Sequence, residues 1–190
     1  PNILIAGATS VDIGVDELTI ANALEPIKLV KANSVDLLIP AEAEFVLEGR
    51  VFSEERHTEG PFVDLSETYD VVRDEPVFEV KKITHRKDAI WQALLPGALE
   101  HKILMGMPRE PTIFQAVSEV VDCRAVSITP GGMSWLHAVV QIANRANGDG
   151  QRAIEAAFRG HGSLKHVVTV DLDVDPFDMA AVEWAIATRF

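Results

Sequence analysis

Two carboxylates that flank a Gly-Pro turn are the residues best suited to chemistry in this sequence. They are Glu59 and Asp64, and a Gly-Pro-Phe-Val segment separates them. Gly60 can adopt backbone angles that other residues avoid and Pro61 fixes its own, so the sequence predicts a rigid bend. Two carboxyl groups held towards one partly dry cavity have separated pKa values. One of them then keeps a proton at neutral pH while the other is ionised, which suits proton transfer.

The same spacing is also typical of an ordinary surface turn. In that alternative, residues 58–61 form the turn and both carboxylates are solvated, because Gly-Pro turns with acidic flanks are common. His57 lies two residues before Glu59 and could tune its proton affinity. The six histidines show neither a His-Glu-x-x-His motif nor an i, i+4 pair, so the sequence predicts no histidine-built metal site.

A resemblance that runs along the whole chain favours the chemical interpretation. The Glu-Gly-Pro-Phe-Val-Asp segment, preceded by Val-Leu-Glu-Gly at 46–49 and followed by Ile-Thr-His-Arg-Lys-Asp at 83–88, resembles the UbiD family of prenylated-flavin decarboxylases. Each block is short, but their order and spacing make the resemblance specific. Further blocks that follow the family's order lie at 95–97, 100–102, 108–110, 129–132, 164–166 and 184–189.

The resemblance implies reversible, non-oxidative decarboxylation of an α,β-unsaturated or aromatic carboxylic acid. Side chains alone cannot stabilise the electrons that remain on an sp² carbon after CO₂ leaves, so a cofactor, prenylated FMN, must accept them. Asp64 matches the family's proton donor, and Glu59 matches the carboxylate that tunes the donor and the cofactor. The sequence around Asp64 is similar to that of archaeal members of the family, some of which act on trans-anhydromevalonate 5-phosphate in isoprenoid synthesis. Glu67 departs from the family, which often has a small residue there.

The resemblance also implies residues that hold the cofactor. Glu17 matches the glutamate that binds the divalent metal, Mn²⁺ or Mg²⁺, beside the flavin phosphate, and Lys165 matches a lysine that reaches this phosphate. Backbone carbonyls of Ala6, Gly7 and Thr9 would line a monovalent cation site for K⁺. Without the resemblance, Glu17 is a helix-dipole acid and Lys165 is a solvated lysine.

Several residues that the family needs lie N-terminal to the matched region, among them the catalytic arginine and the metal-binding asparagine and histidine. We therefore expect a fragment that is incomplete as a decarboxylase and does not decarboxylate alone. A non-catalytic assembly or regulatory subunit is the competing hypothesis, and a plain FMN-binding oxidoreductase would leave the paired acids unexplained. Family members are dimers or larger, so we expect a homo-oligomer whose cofactor comes from a flavin prenyltransferase.

Composition limits the class of protein. The chain has 190 residues, of which 47% are hydrophobic, and a net charge of −12. Because this charge is negative, nucleic acid and anionic membrane surfaces are disfavoured as partners. Cys123 is the single cysteine and follows an apolar run, so the sequence predicts a buried thiol. No apolar run approaches the roughly 20 residues of a membrane span, and nothing at the start of the sequence resembles a signal peptide, so we expect a cytoplasmic protein.

The elements that position the acids follow from hydrophobic patterns, which predict an α/β (α+β) fold in two domains. For residues 1–92 the patterns predict a β-barrel or strongly curved sheet, which the resemblance identifies as the end of the split barrel that binds prenylated FMN, and for residues 93–190 they predict a layered α/β domain. In the first domain the patterns predict a small-residue loop at 6–10, a helix at 15–24, and strands at 3–6, 26–31, 36–40, 44–51 and 76–83.

The second domain alternates strands and helices. The final helix is predicted to start after Asp175, which would cap it, with Pro176 in its first turn. The other predicted elements are helices at 111–117 and 149–159 and strands at 120–128, 135–142 and 166–170.

Overall fold

The computed structural model describes residues 2–9, 11 and 14–189. The chain divides into two compact units: Pro1–Ala6 with Gly14–Gly97, and Gly7–Ile13 with Ala98–Phe190. Over the described ranges, no helix has the length and apolar character needed to cross a membrane.

The first unit combines two helices with two small antiparallel sheets. Asp16 caps the second helix by accepting a hydrogen bond from the Leu18 amide at 2.9 Å. The elements are α1 (Asn2–Ala8), which continues into the second unit, α2 (Glu17–Leu24), and the strand pairs β1 (Leu29–Lys31) with β2 (Leu38–Pro40) and β3 (Phe45–Glu59) with β4 (Arg73–His85).

The strand predicted at 3–6 is wrong, because these residues lie in helix α1. A short apolar run fits a buried strand and a buried helix equally well, so its pattern does not decide between them. Ala6 is buried whereas Leu4 is exposed. The predicted loop at 6–10 is also wrong as far as Ala8, and Ser10 lies outside the described residues.

Mixed α/β structure is confirmed, but the split barrel is not. Both sheets of the first unit have two strands, and within the described residues neither sheet closes on itself. A closed barrel needs tilted, staggered strands around its full circumference. Four strands in two separate pairs do not provide them.

Strand β3 is longer than predicted because its polar second half also pairs with β4. Val51 lies opposite Phe78 and Arg56 lies opposite Pro76, so β3 accommodates a large bulge between these pairs. After the bulge, pairing continues to the end of the strand, where Glu59 lies opposite Arg73. The pairing that resumes after the bulge therefore extends to Glu59, the first acid of the Gly-Pro motif.

Glu48 on β3 ties the two sheets of this unit together. Its side chain is buried, and its Oε1 accepts a hydrogen bond from the Asn33 amide at 3.0 Å. Its Oε2 accepts hydrogen bonds from the amide and the hydroxyl of Ser34. These bonds, the hydroxyl of Ser34 first, lower the pKa of Glu48 from 4.5 to about 2.

We expect Glu48→Gln to destabilise the first unit at neutral pH, because the amide has one acceptor oxygen where the carboxylate has two. Because the pKa of Glu48 is lower in the folded state than in the unfolded state, its ionised form stabilises the folded state at pH values above the unfolded pKa. This stabilisation is lost as the pH falls from 4.5 towards 2. Thermal unfolding followed by circular dichroism should therefore show a difference between native protein and variant that shrinks over this range. Glu42→Gln, at an exposed acid, is the matched control, and a constant difference across the pH series would contradict the assignment.

The second unit is built on one three-stranded sheet, with the order β5-β6-β7. β6 pairs antiparallel with β5 and parallel with β7. Its elements are α3 (Leu99–Gly106), a 3-10 turn (Met107–Arg109), α4 (Glu110–Ser118), β5 (Asp122–Ile128), a 3-10 turn (Pro130–Gly132), β6 (His137–Ala143), α5 (Asp149–Gly160), β7 (His166–Val170) and α6 (Met179–Arg189).

Alternation along β6 places two apolar clusters in this unit. Ala138, Val140 and Ile142 belong to the cluster with residues of α4 and α5, whereas Val139 belongs to the cluster with residues of α6. Helices therefore pack on both faces of the sheet, and the layered arrangement is confirmed. The burial of Cys123 is confirmed as well, and desolvation raises the pKa of its thiol to about 11.

The start of α6 and the start of β6 differ from the prediction. Asp178, rather than Asp175, accepts hydrogen bonds from the first amides of α6, whereas the Asp175 side chain accepts one from the Phe177 amide in the preceding turn. β6 begins at His137 rather than Trp135. Asp175 and Asp178 are both residues that can cap a helix, so the sequence does not decide which of them precedes α6. Trp135 and Leu136 are apolar residues in a turn, and they extend the apolar pattern of β6 towards its N-terminus.

Candidate functional site

The Gly-Pro motif follows the end of β3. Glu59 is the last residue of the strand and is exposed. Gly60 has φ +90°, which lies in the left-handed region that glycine favours, and the Gly60–Pro61 peptide bond is cis. The bend predicted between the two acids is not seen, because residues 60–62 neither turn nor bend and the turn lies beyond Asp64, at residues 65–68.

Asp64 lies near the tip of a short hairpin formed by residues 62–70, where Val63 pairs with Tyr69. The Asp64 amide donates to the carbonyl of Thr68 at 3.0 Å, and the Asp64 carbonyl accepts from the amide of Glu67 at 2.9 Å. One step further out, the Asp70 amide donates to the Phe62 carbonyl at 2.9 Å. Asp64 is half-buried, so its backbone is fixed on both sides while its side chain keeps partial contact with solvent.

Two features of the tip of this hairpin were not visible in the sequence. Glu67 has φ +60°, which explains physically why a small residue suits this position better than glutamate. A Cβ added to Gly97 would lie 3.2 Å from the Asp64 carbonyl oxygen and 3.0 Å from Glu67 Cγ. The Leu-Pro-Gly segment therefore packs directly against the turn that carries Asp64.

Arg73 braces the base of the hairpin. Its guanidinium forms an ion pair with Asp70, and its Nε lies 3.6 Å from Glu75 Oε1. An i, i+3 Asp-Arg spacing was the available signal for this pair, and sequence reasoning missed it. His57 lies 3.4 Å from Glu55, so its recorded ion pair is with that residue rather than with Glu59.

Glu17 is available as an oxygen ligand for a metal. It lies exposed in the first turn of α2, and Asp16 already provides the N-terminal cap of this helix. A carboxylate oxygen suits Mn²⁺ and Mg²⁺, which need about six ligands. Within the described ranges, no group of three or more His, Cys, Asp or Glu residues is arranged to hold an ion, and the role of Glu17 as a metal ligand stays a prediction.

The other predicted cofactor contacts are separate in the chain. Ala6 and Gly7 lie in the last turn of α1, where carbonyl groups lack intrahelical partners, and Thr9 follows directly. Lys165 is exposed just before β7, and its amide donates to the carbonyl of Leu136 at 2.8 Å. Their roles towards K⁺ and the flavin phosphate stay predictions.

Two adjoining family matches cover nearly all of the chain. Residues 1–99 match the Rift-related domain of the 3-octaprenyl-4-hydroxybenzoate carboxy-lyases, UbiD. Residues 102–190 match the C-terminal domain of the same carboxy-lyases. Both matches follow the order of the blocks noted in the sequence.

Individual relatives extend the comparison. The anhydromevalonate phosphate decarboxylases of Methanothermobacter thermautotrophicus and Methanocaldococcus jannaschii are each 48% identical, with 100% of this chain and 45% of each relative aligned. An evolved dimeric form of the UbiD-class enzyme HmfF from Pelotomaculum thermopropionicum, solved in complex with prFMN, matches with a TM-score of 0.95 and 41% identity. That match covers 100% of this chain and 45% of the solved one. The chain thus spans about 45% of the length of the proteins it matches.

Proposed function

Because the chain belongs to the UbiD family of decarboxylases, we propose that it contributes the acid–base residues of a prenylated-FMN-dependent carboxy-lyase. The observation that carries this proposal is the hydrogen-bonded hairpin that holds Asp64 after the Gly60–Pro61 segment. Asp64 is half-buried and its carbonyl lies against Gly97, which favours this proposal over a fully solvated surface turn. The competing non-catalytic subunit would not need the acid at all.

In this proposal Asp64 delivers the proton. The substrate loses its carboxylate as CO₂, the carbon takes up one proton in its place, and no oxidant or reductant is consumed. Asp64 holds that proton on a carboxyl oxygen, and its partial exposure lets it regain a proton from solvent for the next turnover. Glu59, the second carboxylate of the motif, would tune the donor and the cofactor.

Prenylated FMN, when bound, supplies the electron sink that decarboxylation at an sp² carbon requires. Glu17 would contribute one oxygen to the divalent ion beside the flavin phosphate, and Lys165 would offer its ammonium group to that phosphate. The carbonyls of Ala6, Gly7 and Thr9 would serve K⁺. Val51 and Phe78, which pair across β3 and β4, are both exposed apolar residues. Their exposure supports a split barrel in which the first unit packs against additional protein structure.

The proposed substrate is trans-anhydromevalonate 5-phosphate. Support comes from the two archaeal relatives, which carry this activity in their names and align with the whole chain. Aromatic acids are the second class to test, because a phenolic acid decarboxylase of Bacillus subtilis is 32% identical over the chain. A cytoplasmic homo-oligomer that receives its cofactor from a flavin prenyltransferase completes the proposal, with residues 1–92 and 93–190 as its two domains.

The proposal is tested by co-expressing the complete protein with a flavin prenyltransferase. We expect the purified protein to show the absorbance of a bound modified flavin and to release CO₂ from trans-anhydromevalonate 5-phosphate. Protein made without the prenyltransferase is the control and should be inactive. Flavin binding with no CO₂ release from this acid or from aromatic hydroxy acids would contradict the decarboxylase assignment and favour the non-catalytic subunit.

A further inference from the structure

Arg109 in the second unit lacks the partners that a half-buried arginine normally has. It is the last residue of the 3-10 turn before α4, and its guanidinium carbon lies 5.1 Å from the centroid of the Trp135 ring. Its Nε is buried, and within the described part of the chain it has no hydrogen-bond partner. Buried polar groups in native proteins are almost always paired, so the unpaired Nε makes Arg109 an exception among the described residues.

No carboxylate neutralises this guanidinium over the described ranges. None of the ion pairs recorded there involves Arg109. The neighbouring acid, Glu110, directs its Oε1 to the Ile128 amide at 2.9 Å. Burial raises the pKa of Glu110, which favours its neutral form. The charge on Arg109 is therefore not balanced locally.

A buried histidine also packs against the same tryptophan. The His161 ring lies edge-on to Trp135, 4.3 Å between centroids, and its Nε2 lies 3.0 Å from the Trp135 carbonyl. Burial first, and also the charge of Arg109, lowers the pKa of His161, which favours its neutral form. Arg109 is therefore the charged group at this tryptophan.

The backbone that presents Trp135 is strained and tightly held. Met133 and Ser134 have φ +60° and +51°, both in the left-handed region that ordinary residues avoid. Gly106 lies against Ser134 so closely that any side chain there would overlap the Ser134 carbonyl. Strained residues of this kind persist where the surrounding structure enforces them, and they concentrate at ligand sites.

We propose that Arg109 is the recognition residue of an oxyanion site, which takes the phosphate monoester or carboxylate of a small metabolite. The planar guanidinium can bind two oxygens of such a group at once, and stacking on Trp135 fixes the plane in advance. The bound anion supplies the opposite charge that Arg109 lacks. The site lies within the second unit and does not depend on the decarboxylase function.

The test is isothermal titration calorimetry of the flavin-free protein with inorganic phosphate and, separately, with acetate at constant ionic strength. We expect Arg109→Gln to weaken binding of the preferred anion by about tenfold or more, the loss expected for a charge-assisted hydrogen bond. Arg109→Lys, which keeps the charge but not the planar group, should bind with intermediate affinity. Arg159→Gln, at an exposed arginine of α5, is the matched control and should leave binding unchanged.

The two probes distinguish the source of the oxyanion. Tighter binding of phosphate identifies a phosphate monoester, and tighter binding of acetate identifies a carboxylate. Equal affinity in native protein and Arg109→Gln, or no binding of either probe to native protein, would overturn the site. Should Arg109→Gln fail to fold, Trp135→Phe tests the site instead. It keeps the charge of Arg109 but offers a smaller ring for the guanidinium to stack on, so it should weaken anion binding by a smaller factor.

Discussion

Replacing Asp64 with asparagine is expected to lower decarboxylation by about 100-fold or more, because positioned general acids typically contribute factors of 10² to 10⁴. Asparagine keeps the shape of the side chain but cannot give up a proton. The hydrogen bonds that fix this residue come from its backbone, so the hairpin should survive the change. The measurement is CO₂ release by the complete protein loaded with prenylated FMN, alongside its flavin absorbance.

Flavin absorbance separates a catalytic defect from a binding defect in this experiment. We expect Asp64→Asn to retain the cofactor spectrum of the native protein. Asp36→Asn, at an exposed acid between β1 and β2, should keep both absorbance and activity. Native turnover in Asp64→Asn would remove this residue from the role of proton donor, and loss of the flavin spectrum would assign it to cofactor binding instead.

Gly106→Ala should cause the largest loss of stability in the second unit. A Cβ at this position would overlap the carbonyl of Ser134, and neither backbone can withdraw without disturbing α3 or the strained turn. Overpacking costs roughly 1–3 kcal/mol and outweighs the gain of about 1 kcal/mol that alanine brings to a helix. In a unit of this size we expect Tm to fall by about 5–10 °C.

Gly131→Ala is the control for this substitution. A Cβ at Gly131 meets nothing within 4 Å, so its Tm should match that of the native protein. Differential scanning calorimetry measures both variants directly. Equal Tm values for Gly106→Ala and native protein would show that the contact with Ser134 is loose. The turn would then not hold Trp135 under Arg109, and the proposed oxyanion site would lose its preorganisation.

Sequence patterns predicted the elements whose burial is one-sided and whose ends carry turn residues. Helix α5 was placed correctly because Gly160 ends it and its alanines recur at helical spacing. Helix α1 was predicted as a strand because a short apolar run has no diagnostic period. The far half of β3 was missed because a polar run that pairs across a bulge looks like a loop.

The candidate site shows the same division between local and long-range information. Local turn chemistry identified Gly60 as a residue with positive φ, but it placed the turn between the two acids, whereas the turn lies at residues 65–68, beyond Asp64. Gly97 packs against Asp64, more than thirty residues away in the chain, and neither local sequence predicts this contact. Arg109 was noted only as part of a family block, because an unpaired nitrogen over Trp135 depends on tertiary structure.

The bulge in β3 makes the face of Glu59 insensitive to the loss of one residue from 52–55. Cross-strand partners share a face of a hairpin, so the pairs Val51–Phe78 and Arg56–Pro76 lie on one face although an odd number of steps separates them along β3. Removing one residue from 52–55 would leave an even number of steps, and simple alternation would then place Arg56 on the face that its pairing with Pro76 already gives it. A single deletion there is therefore compatible with Glu59 remaining opposite Arg73.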